Sequence, residues 1–159
     1  MVVQPNLELR SRDFSEAAPA PSPNIGAAHT LSNEEQQIQL ALNAHWHASA
    51  IGDADAEHDI YQDDAICDYP QSGERILGRS NLQALRSHHP GKPSGFNVRR
   101  MLGNGNLWIT EYTITYQGRP AYTVSIMEFR NGKVVHETQY FADPFDAPPW
   151  RTQWVQRIP

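Results

Sequence analysis

A few scattered side chains of this chain have the chemistry to move a proton or hold an oxygen. Asp68 and Tyr69 stand together in AICDYP, His45 lies in NAHWHAS, and Glu137 and Gln139 alternate in VVHETQYF. An imidazole titrates near ~6.5, so small shifts make it a usable acid or base. A phenol, with a free pKa near ~10, is a better donor than base. A carboxylate in a cavity must be paired, protonated or wet, and is then a natural proton shuttle. Strand neighbours point to opposite faces, so only one of Asp68 and Tyr69 looks into any one cavity. The residues alone leave open which one.

Each candidate needs an element to aim it. Ser32 followed by Glu35 fits a capping box, and Ile38, Leu42, His45 and Ser49 then recur at helical spacing with Ala41 and Trp46 beside them. Gly52 is the expected stop. His45 sits inside this apolar stripe, either as a structural histidine bonded to a carbonyl or as a pocket acid/base; His47 points roughly the other way. A second helix is expected over Asp53–Gln62, a strand over AICDY, a turn at Ser72–Gly73, and a third helix over Arg79–His88. Residues 1–31, rich in Pro and Ala, read as a flexible tail ahead of a domain over residues 32–159.

After HHPGKPSG the period changes to two. Strands are expected at Phe96–Leu102, Leu107–Tyr116, Ala121–Arg130 and Lys133–Phe141, separated by the turn sequences GNGN, QGRP and NGK. Helices first and an antiparallel meander afterwards make an α+β layout. Trp108, Thr110, Tyr112, Ile114 and Tyr116 share the presumed core face. On the last strand, Val135, Glu137, Gln139 and Phe141 share one face, and Val134, His136, Thr138 and Tyr140 the other. If the first set points inward, Glu137 is a carboxylate in a cavity, with Arg100 as a candidate partner; if the second does, His136 and Tyr140 line it instead. Neither face of the last strands is plainly polar, so a second subunit is expected to cover the outer one. Phe145, Trp150 and Trp154 close the chain as a latch on the core, or as a lid or interface segment.

The totals narrow the function. The chain has 159 residues, a net charge of −5 and one cysteine. One domain with a sizeable core follows, nucleic acid and anionic membrane are poor partners, and no intrachain disulfide is available. The first residues lack an apolar signal core and no run approaches a membrane span, so a cytoplasmic protein is expected. No Cys/His set has metal-ligand spacing, and there is no GxGxxG, P-loop lysine or nucleophile elbow; neither metal nor cofactor is expected.

The helix ending in IGD, then YQDDAICDYPQSGERILGRSNL, then the meander closing in GKVVHETQYFADPF, resembles the nuclear transport factor 2-like superfamily over roughly Glu34 to Pro144, and within it the SnoaL-like, polyketide-cyclase-like group. The resemblance implies a cone: a strongly curved, partly mixed sheet wrapped around three N-terminal helices as an α+β barrel, enclosing a deep pocket and dimerising through the outer sheet face. Its members include isomerases, cyclases, dehydratases, hydrolases and proteins without chemistry. In ketosteroid isomerase the residue before the strand-closing proline is the carboxylate base, which places Tyr69 inward here and Asp68 outward. The isomerase's phenolic donor falls at His45 and its protonated acid at Met127. The Arg, Asp and second Asp of limonene epoxide hydrolase fall at Tyr112, Ile114 and Gln139. Neither mechanism keeps its residues. Scytalone dehydratase resembles this chain in an Asp-Tyr pair on the first strand.

The resulting expectation is a cofactor-free cyclase, isomerase or dehydratase acting on a small, mostly apolar oxygenated molecule. His45, Tyr69 and Glu137 are the catalytic candidates. Tyr112, Gln139, Trp46, Tyr116, Met127 and Phe141 are the expected ligand contacts. The alternative is a binding or dimerisation module without turnover.

Overall fold

Ser32 accepts a hydrogen bond from the Glu35 amide at 3.2 Å, and the Glu35 carboxylate accepts from the Ser32 amide at 2.8 Å. This reciprocal cap opens helix α1 (Asn33–Ile51), which Gly52 ends in the left-handed conformation at φ 76°. The structure, a computed structural model, describes residues 30–158. The expected tail over residues 1–31 therefore lies, except for its last two positions, outside the described residues.

The second helix is shorter than the sequence suggests. Asp53 caps α2 (Ala54–His58) through the Ala56 amide at 3.1 Å. By Ile60 the backbone already belongs to the sheet, because the Ile60 carbonyl accepts the Val134 amide at 2.9 Å. Strand β1 (Tyr61–Tyr69) thus begins inside the expected helix. It turns at Ser72–Gly73 into β2 (Glu74–Leu77), a four-residue strand the sequence reading had not separated, and Gly78 leads into α3 (Arg79–Ser87).

The meander follows as β3 (Pro93–Asn104), β4 (Leu107–Tyr116), β5 (Arg119–Arg130) and β6 (Lys133–Ala142). The spatial order is β2-β1-β6-β5-β4-β3. The β1–β6 pairing is parallel and all others are antiparallel, so the sheet is mixed. Register shifts in β3, between Glu128 and Phe129, and between Tyr61 and Ile66 interrupt the ladders, as a strongly bent sheet requires. The sheet wraps the helices as the α+β cone expected, but it does not close into a barrel: β2 and β3 are free edges.

Trp108, Thr110, Tyr112 and Ile114 are buried, and their neighbours Leu107 and Ile109 are exposed, so the aromatic face of β4 is the core face. On β6, Glu137 and Gln139 face the core. The parity fails at the start of that strand: Val134, not Val135, is buried, because Glu128 pairs with His136 but Phe129 pairs with Val134. The extra residue turns the strand over. Leu42, Trp46, Tyr61, Leu82, Trp108, Met127 and Phe129 fill the space between sheet and helices.

The latch expected of Trp150 and Trp154 is not made. Both lie on a short 3-10 helix (Pro149–Trp154) and are 72% and 70% exposed. No helix among the described residues is long and apolar enough to cross a membrane.

Candidate functional site

Glu137 is wholly buried, and both of its oxygens are occupied. Oε1 accepts the Ser125 hydroxyl at 2.6 Å. Oε2 accepts the Tyr61 hydroxyl at 2.6 Å and Arg86 Nη2 at 3.0 Å, with the Cys67 thiol at 3.6 Å. Burial alone would raise this carboxyl, but the Arg86 guanidinium and the bonds from Ser125 and Tyr61 outweigh it and hold it below the usual carboxylate range. Arg86, not Arg100, is therefore its partner. Arg100 pairs with Glu111 on the exposed side of the sheet.

Arg86 reaches the interior because it stands one helical turn after the buried Leu82 on α3. Burial opposes its charge; Tyr61, Glu137, Tyr69 and Glu57 hold it, and its pKa moves up. Nη1 donates to Glu57 at 3.3 Å and to the Tyr61 oxygen at 3.2 Å, and the guanidinium lies 5.5 Å from the Tyr61 ring centre. Nη2 also reaches the Gln139 carbonyl oxygen at 3.4 Å, and Gln139 donates its amide to the Tyr112 hydroxyl oxygen at 2.9 Å. Tyr112 keeps its own proton to donate elsewhere.

Two imidazoles flank Tyr61, His45 at 5.8 Å and His58 at 5.9 Å between ring centres. His45 Nδ1 donates to the Glu57 carbonyl at 2.6 Å and His58 Nδ1 to the Ala54 carbonyl at 2.7 Å. A carbonyl can only accept, so each ring carries its proton on Nδ1 and leaves Nε2 bare. Both Nε2 atoms are buried without a hydrogen-bond partner. Burial, aided by the Arg86 charge, lowers the His45 pKa to about 4 and also lowers that of His58. Both rings are neutral at pH 7.

Above this network lies a cavity of about 900 Å³ whose lining includes Trp46, His58, Tyr69, Arg86, Phe96, Tyr112, Tyr116, Gln139 and Phe141. Its apolar wall is a stack: Trp46–Tyr112 at 4.6 Å, Phe96–Tyr112 at 4.9 Å and Trp46–Phe96 at 5.6 Å between centres. The Trp46 indole donates to Thr110 at 3.2 Å, which fixes the ring. Tyr69 meets Phe141 edge-on at 5.4 Å, and burial pushes its phenol up to about 12, with Arg86 pulling the other way. Asp68 turns to the other face, where it accepts from Arg75 at 2.7 Å and lies 3.0 Å from His136. A smaller hollow of about 270 Å³ near Gln71, Tyr122 and Tyr140 shares Tyr112 with the network but holds none of Glu137, Arg86, Tyr61 or the two imidazoles.

Six of the nine residues chosen from sequence thus line one cavity: Tyr69, Tyr112, Gln139, Trp46, Tyr116 and Phe141. His45, Glu137 and Met127 are buried behind its wall, with Met127 in register between Trp108 and Glu137. Sequence reasoning missed Arg86, Tyr61, His58 and Phe96. The i, i+4 spacing of Leu82 and Arg86 was the available signal for the first.

The comparisons with known proteins agree with this architecture. A model of the SnoaL-like domain matches residues 42–137. A nuclear transport factor 2-like protein of Burkholderia xenovorans is 80% identical over 80% of this chain and 100% of its own, with a TM-score of 0.74. A Kribbella flavida protein described as a candidate ketosteroid isomerase is 22% identical over 78% of this chain and 91% of its own, with a TM-score of 0.71. An epoxide hydrolase of M. tuberculosis is 20% identical over 67% of this chain and 84% of its own, with a TM-score of 0.55. The last two are likenesses of fold. No curated protein matches the chain.

Proposed function

The chain belongs to the SnoaL-like family of nuclear transport factor 2-like proteins, and on that premise we propose that its cavity binds a small, mostly apolar, oxygenated molecule and moves a proton on it without a cofactor. The reaction is of the isomerase, cyclase or dehydratase kind. One observation carries the reading: Gln139 spends its amide donor on the Tyr112 oxygen, so the Tyr112 hydroxyl hydrogen is left for a ligand oxygen at the aromatic wall. Tyr69 is the second donor. His58 lines the cavity while its unpartnered Nε2 lies buried in the wall; a turn of the side chain on ligand binding brings that nitrogen to the carbon α to the ligand carbonyl, where it takes a proton and returns it to a neighbouring position. His45 and Glu137 keep a supporting part: His45 is shielded from the cavity, and Glu137 is saturated by donors and anchors Arg86.

A screen of bicyclic ketones, hydroxylated polycyclics and terpenoids by thermal shift tests binding, and solvent deuterium entering the α-carbon of a bound ketone tests turnover. β-Tetralone should raise Tm and exchange faster than in buffer; His58→Gln should keep binding and lose the exchange. No thermal shift with any compound would end the reading. A second reading, binding without turnover, is favoured by the saturation of Glu137 and the weak basicity of the buried imidazoles. It predicts binding with no exchange.

The protein is further proposed to work in the cytoplasm, where its one thiol, Cys67, stays reduced, and to form a homodimer through the outer sheet face. That face supports the proposal by its apolar cross-strand row: Leu102, Ile109 and Ile126 are in register on three adjacent strands, with Leu107, Tyr122 and Tyr140 exposed around it.

A further inference from the structure

The chain does not end with β6. Beyond Ala142 the backbone leaves the sheet beside Tyr122, its last register partner, and runs through Pro148 and Pro149 into the 3-10 helix. The segment has internal order. The Arg151 amide bonds the Pro148 carbonyl at 3.4 Å, Thr152 bonds the Pro149 carbonyl at 2.7 Å, and the Arg151 guanidinium lies 5.9 Å from the Phe145 ring centre. Yet Phe145, Trp150 and Trp154 are 79%, 72% and 70% exposed, and Val155 and Ile158 are exposed as well. The 3-10 helix makes no extensive contact with any helix or strand among the described residues. An ordered segment with three bare aromatics is not a solvated tail.

Resting on the proposed dimer, we infer that residues 143–158 form an arm that packs its aromatic side chains on the outer sheet face of a second copy of this chain. Three arguments choose that occupant. The first is area. At ~150–250 Å² each, the three rings leave about 400 Å² uncovered, roughly half of the ~800 Å² per partner that a standard interface needs. On the outer face of the same chain Leu102, Ile109, Tyr122 and Tyr140 are exposed around the half-buried Ile126. Neither surface suffices alone; together they reach the size of a stable, symmetric interface. The second is composition. Trp and Arg are the residues that dominate interface energetics, and the arm holds Trp150, Trp154, Arg151 and Arg157. The third is charge. Arg151 and Arg157 offset Asp143 and Asp146, so the arm is neutral and adds no repulsion when it meets a second chain of net −5.

The test compares the full chain with Trp150→Ser/Trp154→Ser and with Ile109→Lys by sedimentation equilibrium across the micromolar range. Removing two interface tryptophans should raise the dimer Kd by at least about tenfold, while the monomer's Tm stays put, because both rings are largely exposed. Ile109→Lys should weaken the dimer similarly. Mixing the two variants should restore an intermediate affinity, since each supplies the surface the other lacks. Trp46 and Trp108 are buried, so a blue shift in emission on dimerisation reports the arm directly. A dimer whose Kd the arm variant leaves unchanged overturns the arm and spares the dimer. A full chain that stays monomeric overturns both.

Discussion

Tyr61 and Glu137 stand 76 positions apart and share a 2.6 Å hydrogen bond, with the Tyr61 oxygen also taking Arg86 Nη1 at 3.2 Å. One phenol therefore sits between the cation and the anion of a buried pair, on a strand that runs parallel to the one bearing Glu137. Such a pair is expensive to break and cheap to replace, because removing one partner strands the other charge without water.

Glu137→Gln should cost ~3–5 kcal/mol in a urea titration, since Arg86 keeps only the partly exposed Glu57 as counter-charge. The double change Arg86→Met/Glu137→Leu should cost less than either single change. A single Glu137→Gln variant within ~1 kcal/mol of the parent would mean that Glu137 is already protonated in the fold.

Stability should fall as the solution is acidified through the imidazole range. The folded chain holds His45 neutral down to about 4, while the unfolded chain titrates it at the ordinary 6.5. Between those values the unfolded state binds the extra proton, so stability is complete above the upper value and lost as pH drops toward the lower. A shift of this size is worth about 3 kcal/mol. His58 acts in the same sense, and the depressed carboxyl of Glu137 continues the loss at still lower pH. Urea midpoints measured across this range should slope in the parent and slope less steeply in His45→Phe, where His58 still contributes.

What the sequence discloses depends on how local the cause is. The ten-residue alternation of β4 announces its own core face, because uninterrupted period two leaves one answer. On β6 neither face is plainly polar, so the sequence left Glu137 and Gln139 against His136 and Tyr140 as alternatives, and burial decides for the first pair. Val134 was not legible as inward, because a register shift that belongs to the pairing of two strands reversed the parity at the end of β6. Tyr61 was hidden by the polar run Gln62–Asp64, which reads as a helix end, while its strand character comes from Val134 across the sheet. Arg86 and Arg100 look alike in the sequence; only the fold gives one to Glu137 and the other to Glu111.

Gly103→Ala should destabilise through contact rather than backbone strain. A Cβ at Gly103 would stand 2.2 Å from Cδ2 of the Trp108 ring. Trp108 is buried and tied by its indole to the Gly105 carbonyl at 3.0 Å, so the ring has nowhere to turn. Overpacking of this kind costs ~1–3 kcal/mol, with a matching drop in Tm. Gly105→Ala, where a Cβ would meet open space, isolates the φ 53° cost alone.

Tyr112→Phe separates a ligand donor from a structural phenol. The ring is fixed by Trp46 and Phe96 on its faces, so the variant keeps the wall and loses only the hydroxyl. A lost hydrogen bond of ~0.5–1.5 kcal/mol should weaken β-tetralone about three- to tenfold. Tetralin, the same skeleton without the carbonyl, should bind both proteins equally. Gln139→Leu frees the Tyr112 oxygen from its amide partner but leaves the phenolic proton, so it should weaken the ketone less than Tyr112→Phe does. Calorimetric titration of the three proteins with the two ligands decides the matter. Equal losses for ketone and hydrocarbon in Tyr112→Phe would make the phenol a packing residue and remove the oxygen-binding role from the cavity.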